Sequence, residues 1–266
     1  MNKVMLDLGI IQIKWYSFFI FFSILVASIL IYKEAKSKGI KKEDLENIIF
    51  YGFLFGILGA RIYYVLFNLD YYLASPSEII KIWNGGIAIH GSLIGGLIFL
   101  LIYCKKNKIN LLLLLDIVVV GLILAQAIGR WGNFFNGEAY GRDVSLEFLE
   151  SLHLPSFIIK GMLIDGSYRE PTFLYESFFS LIGFIVLIGI KHCPKLRVGQ
   201  LLGTYLIWYG IERLIIEGFR SDSLMLGPIK IAQLVSLLFI IFGIYFLGKN
   251  IKNNRLYKEE RLLLEK

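Results

Sequence analysis

The densest run of chemically capable residues is Gly129-Arg130-Trp131-Gly132-Asn133-Phe134-Phe135-Asn136-Gly137-Glu138-Ala139-Tyr140-Gly141. An arginine carries a permanent charge on a planar fork that binds phosphate oxygens in pairs. Asn133 and Asn136 add neutral donors, and Glu138 adds an acceptor. The glycines let the backbone turn or approach a ligand closely. Arg130 and Asn133 share a face if the helix before them continues through both. A helix end with a snorkelling arginine needs only Arg130. The amides and the carboxylate beside it favour a binding site for an anion.

A second cluster runs Glu212-Arg213-Leu214-Ile215-Ile216-Glu217-Gly218-Phe219-Arg220. Arg213, Glu217 and Arg220 fall at i, i+4 and i+7, one helical stripe. Glu217 can neutralise and orient its arginines, which lowers the cost of charge in an apolar setting; the alternative is a purely structural ion-pair ladder. A third cluster is Trp83-Asn84-Gly85-Gly86-Ile87-Ala88-Ile89-His90-Gly91-Ser92. Histidine titrates near neutrality and is the commonest general base, so His90 is the candidate proton acceptor, against the alternative of a packed helix residue. Tyr16, beside Trp15, either lines the pocket or belongs to an interfacial aromatic belt. Arg61, near Tyr63 and Tyr64, either contacts a head group or pairs with a carboxylate. Arg169–Glu176 opens another apolar stretch, with Pro171 suited to a first helical turn.

These residues lie in or beside apolar segments. The 266-residue chain is 56% hydrophobic and 18% charged, with a mean hydropathy of +0.66. Soluble domains are about 45–50% apolar and about 25% charged, so a water-soluble fold and a disordered chain are both excluded. Seven stretches are long enough to cross a bilayer: Trp15–Tyr32, Ile48–Phe67, Ile87–Tyr103, Leu111–Ile128, Phe173–Ile190, Gly199–Ile216 and Ile229–Leu247. The fold expected is an all-α integral membrane protein, one bundle of seven transmembrane helices forming a single domain. Gly52-x-x-x-Gly56 and Gly91-x-x-x-Gly95 fit close helix packing.

The net charge is +7, and its distribution argues for a membrane rather than nucleic acid. Lysines 33, 36, 38, 41 and 42, lysines 105, 106 and 108, the group Lys191, Lys195 and Arg197, and the basic tail from Lys249 to Lys266 all fall on one side of a seven-span bundle. The positive-inside rule makes that side cytoplasmic. The N-terminus then faces outward, the C-terminus is cytoplasmic, and the 134–170 segment between spans four and five is an extracytoplasmic arm or lid. Ionisable groups within apolar spans mark functional sites, and here they gather at the outer half. The two cysteines, Cys104 and Cys193, fit neither a disulfide framework nor a metal centre. No ligand set has metal spacing, and no nucleophile elbow or phosphate loop occurs. A lipid phosphate suits such a pocket, and neither a metal nor another cofactor is expected.

At this point the sequence resembles the prolipoprotein diacylglyceryl transferases, bacterial inner-membrane enzymes. Their hallmark reads Gly-Arg-x-Gly-Asn-Phe-x-Asn-x-Glu-x-x-Gly, and residues 129–141 fill every fixed position. Trp15-Tyr16, Gly59-Ala60-Arg61, Gly85-Gly86 with His90-Gly91, Pro171 with Leu174-Tyr175-Glu176, and Arg213 with Glu217 and Arg220 follow in the family's order. The chain departs from the pattern at Ser92, Glu170 and Phe173.

The resemblance implies transfer of the sn-1,2-diacylglyceryl group of phosphatidylglycerol to the lipobox cysteine thiol of a preprolipoprotein. The products would be a thioether and glycerol phosphate, the first step of lipoprotein maturation, in the bacterial cytoplasmic membrane. It implies His90 as candidate base for the thiol and Arg130 and Arg213 as cations stabilising the departing phosphate. Tyr16 would line the pocket or assist proton transfer. Asn133, Asn136, Glu138 and Gly141 would position the head group, with Glu217, Arg220 and Arg61 completing the substrate site. Two other readings of the same residues stand beside it: a seven-helix transporter of an anionic solute, and another phospholipid head-group transferase.

Overall fold

The computed structural model describes residues 3–7, 9, 12–220, 225–226, 229–251 and 255–263. Ten α-helices occur among them: α1 (Trp15–Ser37), α2 (Lys42–Leu66), α3 (Leu69–Ala74), α4 (Ile89–Lys106), α5 (Leu111–Asn136), α6 (Leu146–Ser151), α7 (Ser156–Gly161), α8 (Thr172–Lys191), α9 (Gln200–Phe219) and α10 (Ile231–Ile251). Each expected span falls on one of the long helices, with starts and ends displaced by a few residues. Five of them, α1, α2, α5, α8 and α10, are long and apolar enough to cross a membrane. The other two long helices carry polar groups: α4 carries His90 and ends in Lys105 and Lys106, and α9 carries Glu212, Arg213 and Glu217.

The largest difference from the sequence expectation is at the end of α5. The apolar run stops at Ile128, yet the helix continues to Asn136. Arg130 and Asn133 are therefore on one helical face. What extends the helix is packing: Phe134 is buried with Leu149, Ile158, Met162 and Phe173, and its ring stacks on Phe173 at 4.5 Å.

The chain divides into two compact units, residues 1–31 with 115–260 and residues 32–114 with 261–266. In the first unit α9 packs against both α8 and α10. The segment after α5 forms a small substructure of α6, α7 and the hairpin β1 (Leu163–Ile164) to β2 (Ser167–Tyr168). The amide of Gly141 donates to Glu170 O (2.9 Å), that of Arg142 to Phe219 O (3.1 Å) and that of Val144 to Tyr168 O (2.9 Å). Residues 141–144 thus lie between the lead-in to α8 and the end of α9. Gly141 has no room for a side chain: a Cβ there would stand 2.8 Å from Glu170 Cβ and 3.0 Å from Thr172 Cγ2.

The other end of α9 is held by Asp116, which is fully buried. Its carboxylate accepts the amide hydrogens of Gly199 and Leu202, the latter at 2.8 Å. Those amides have no partner within the helix, so Asp116 caps α9 from α5.

The second unit is built on α2 against α4. Gly59, Gly91 and Gly95 meet backbone to backbone: a Cβ on Gly59 would stand 2.9 Å from Gly95 Cα. The small-residue pairing expected from the sequence is thus present on α4, but its main partner on α2 is Gly59. Gly56 faces Ser92, whose hydroxyl fills that space.

Candidate active site

α8 places Glu176 one turn into an apolar helix, where it is almost wholly buried. Two hydroxyls fix α8 in position. Ser177 Oγ donates to Ala127 O on α5 (2.8 Å), and Ser180 Oγ donates to Glu212 on α9 (3.0 Å). Thr172 Oγ1 adds a bond to Ala139 O at 2.7 Å. Hydroxyl bonds of this kind satisfy polar groups in an apolar bundle.

Three guanidinium groups converge on Glu176. Arg130 from α5 forms an ion pair with Oε2. Arg213 from α9 donates to Oε1 at 3.0 Å, and Arg220 lies 3.8 Å from the same oxygen. Glu217 is the second counterion, 2.7 Å from Arg213 and 4.0 Å from Arg220. The carboxylates have side-chain exposures of 1% and 2%, whereas Arg130, Arg213 and Arg220 keep 20%, 17% and 12%. The acids are therefore the buried foundation and the bases the accessible face. Three guanidinium groups thus share Glu176 and Glu217, with Glu212 also close enough to act on Arg130 and Arg213.

The stripe expected for Arg213, Glu217 and Arg220 is realised with one change. α9 ends at Phe219, and Arg220 is extended, with φ −76 and ψ 137. It pairs in a β-bridge with Gly141 and still reaches both carboxylates. Lys230 donates to the carbonyls of Glu217 (2.6 Å) and Arg220 (2.8 Å), satisfying the end of the helix.

The rest of the motif follows Arg130 along the chain. Asn133 is half-buried on α5, and Asn136 donates to the exposed carboxylate of Glu138. Tyr16 of α1 has its ring against Gly132, 3.3 Å from where a Cβ would stand, with Glu138 and Arg130 as charged neighbours. Two of the departures from the family pattern find a place here. Phe173 completes the aromatic core with Phe134, and Glu170 is buried and pairs with Arg142 at 3.0 Å.

His90 and Arg61 belong to the second unit. His90, at the start of α4, is exposed, with its ring 6.1 Å from that of Tyr63. Arg61 is buried and organises a loop. Its guanidinium donates to the carbonyls of Ile79 (2.8 Å), Gly85 (2.7 Å), Gly86 (2.7 Å) and Glu78, and lies 5.1 Å from the centre of the Tyr72 ring.

Sequence reasoning missed Glu176 as the hub and Glu212, Asp116 and Lys230 as supports. A signal for Glu176 was present: it is the one acidic residue in the stretch from Thr172 to Lys191, and an isolated carboxylate in an apolar helix needs a partner.

The model of the prolipoprotein diacylglyceryl transferase family matches residues 3–248. Proteins named phosphatidylglycerol–prolipoprotein diacylglyceryl transferase from Staphylococcus aureus strains MSSA476, MW2 and Newman are each 50% identical to this chain over 244 residues, 91% of this chain and 87% of theirs. With a family model matched over most of its length and relatives half identical to it, this chain belongs to the prolipoprotein diacylglyceryl transferase family.

Proposed function

We propose that this chain is a multi-pass enzyme of the bacterial cytoplasmic membrane that moves the diacylglyceryl group of phosphatidylglycerol onto the lipobox cysteine of a preprolipoprotein. The observation that carries the reading is the cluster of Arg130, Arg213 and Arg220 on Glu176 and Glu217. A phosphodiester bears one negative charge and suits the accessible guanidinium face of the cluster. As the bond from glyceryl carbon to phosphate oxygen breaks, a second charge develops on the phosphate. Cations already in place stabilise that charge without reorganisation. The thiol sulfur supplies the new bond to carbon, and its proton leaves to a base, the role assigned to His90. Asn133, Asn136, Glu138 and Gly141 frame the head group, Tyr16 closes the pocket beside Arg130, and Glu217 holds Arg213. Arg61 shapes the Gly85–Gly86 loop that precedes His90, which makes it a positioning residue in this scheme.

In the same reading all seven long helices cross the bilayer, with the N-terminus outside and the 134–170 arm over the outer surface. α9 can cross because its charges are paired rather than bare.

The test is a reconstituted assay with purified protein, phosphatidylglycerol and a synthetic lipobox peptide, following glycerol phosphate release and peptide mass. A diacylglyceryl mass gained by the cysteine peptide and not by its Cys→Ser control is the expected result. Phosphate release without peptide modification would assign another head-group reaction. In the same assay, a His90→Gln variant that keeps the full rate would remove His90 as the base.

A further inference from the structure

Among the described residues, the ion pairs of the arginine cluster run to Glu176 or Glu217. Glu212 stands beside them and takes no part. It is 6% exposed and directly precedes Arg213 on α9. Its hydrogen-bond partner is Ser180, whose Oγ lies 3.0 Å from Oε1 and 3.3 Å from Oε2. Ser180 follows Glu176 by four residues on α8, so the two share a helical face, and Glu212 docks one turn from the hub. Arg130, Arg213 and Glu176 are within electrostatic reach of its carboxyl. Both of its oxygens are turned to a buried hydroxyl, away from the accessible guanidinium face that a phosphate would meet. Glu212 is thus a third acid, set behind the arginines.

The chemistry of the transfer gives such an acid a use. The phosphate enters as a diester with one negative charge and leaves as a monoester. A phosphate monoester has a second pKa of about 6 and bears nearly two charges at neutral pH. Coulombic attraction scales with the charge of the ligand. Fixed guanidinium groups that hold the substrate therefore hold the product more tightly, and product release sets the turnover of many enzymes. A carboxylate behind the guanidinium groups lowers their potential without occupying the face they present. In free energy it weakens the hold on a dianion twice as much as on a monoanion.

We propose that Glu212 tunes the arginine cluster for release of the glycerol phosphate product. It acts through Arg130 and Arg213 and does not touch the lipid, which makes it a positioning residue. The proposal rests on the diacylglyceryl-transfer reading and concerns its last step.

The experiment titrates purified wild type and Glu212→Gln by calorimetry with two soluble probes. They are sn-glycerol 1-phosphate, a dianion at about pH 8, and glycerophosphoglycerol, a monoanionic diester. Glutamine is close to isosteric and its carbonyl oxygen still accepts the Ser180 hydroxyl, so the variant removes the charge alone. The expected result is about tenfold tighter binding of the dianion and, because the effect scales with charge, about threefold tighter binding of the monoanion. Glu212→Asp binds both as wild type does. In the transfer assay Glu212→Gln is more strongly inhibited by added glycerol phosphate, a change that loosened packing would not produce. Unchanged or weaker binding of both probes would leave Glu212 a packing residue and overturn the proposal. Equal tightening of both would mark a change of shape rather than of charge, and would overturn it as well. Should Glu212→Gln fail to fold, Glu212→Asn against Glu212→Asp makes the same comparison with a shorter side chain. A wild type that binds both probes yet transfers no diacylglyceryl group defeats the transfer reading instead, while the ratio of the two affinities still decides whether Glu212 tunes the cluster.

Discussion

Glu176 is shared by three guanidinium groups, and its own carboxylate is the most buried part of the cluster. Removing one partner of a buried charge pair costs about 3–5 kcal/mol, because the other charge is left uncompensated. Glu176→Gln is close to isosteric and removes only the charge. It leaves three arginines facing one another with Glu217 alone between them. The expected outcome is a lower thermal midpoint in detergent and a fall in transfer of about 10²–10³, the range for losing one preorganised electrostatic group. Glu176→Asp keeps the charge and should recover part of both. If Glu176→Gln loses stability while the folded fraction transfers at the wild-type rate, Glu176 supports the fold alone. At this scale the sequence showed the arginines and hid their hub. Arg130 and Arg213 stand out because motifs of several polar residues surround them. Glu176 stands out in the sequence only as a lone acid in an apolar stretch, and its partners, 46 and 37 positions away in the chain, are legible only from the contact between α5, α8 and α9.

At the scale of elements, long apolar runs are a one-dimensional signal and gave the long helices directly. Helix ends were less legible where tertiary packing sets them. α5 passes eight residues beyond its apolar run because Phe134 is needed in the core of the following substructure. The role of Gly141 was also hidden. It reads in the sequence as part of a head-group site, whereas the structure gives it a packing duty that serves the same site. A methyl group at Gly141 would meet Glu170 Cβ and Glu170 O, at 2.8 and 3.1 Å, and neither atom can rotate away. Gly141→Ala must therefore push residues 141–144 off one of their two neighbours. Overpacking of this kind costs about 1–3 kcal/mol. Because Gly141 bridges to Arg220, the displacement reaches the arginine cluster. The expected outcome is a loss of transfer out of proportion to a drop of a few degrees in thermal midpoint. A midpoint shift with transfer unaltered in the folded protein would confine Gly141 to packing.

For the whole molecule, the division into two compact units has no counterpart in hydropathy, because every span reads alike whichever helix it packs against. Charge is the sequence property that acts at this scale. Most of the basic residues, 17 of 28, sit in alternate connections: Lys33–Lys42 between α1 and α2, Lys105–Lys108 between α4 and α5, Lys191–Arg197 between α8 and α9, and the tail after α10. The seven crossings proposed above would put these connections on one side. If α4 and α9 stayed out of the bilayer, α2 would be followed directly by α5 and α8 by α10, and basic connections would fall on both sides, against the asymmetry that sets orientation. The arm supplies the test. With Cys104 and Cys193 replaced by serine, a single cysteine at Ser151, at the exposed end of α6, should react with a membrane-impermeant maleimide in intact cells. A single cysteine at Ser37, whose end of α1 is flanked by Lys36 and Lys38, should react only after lysis. The reverse pattern would invert the bundle and place the arginine cluster on the cytoplasmic side. Labelling of both positions in intact cells would break the seven-crossing path, since the three crossings of α2, α4 and α5 would no longer carry residues 37 and 151 to opposite faces.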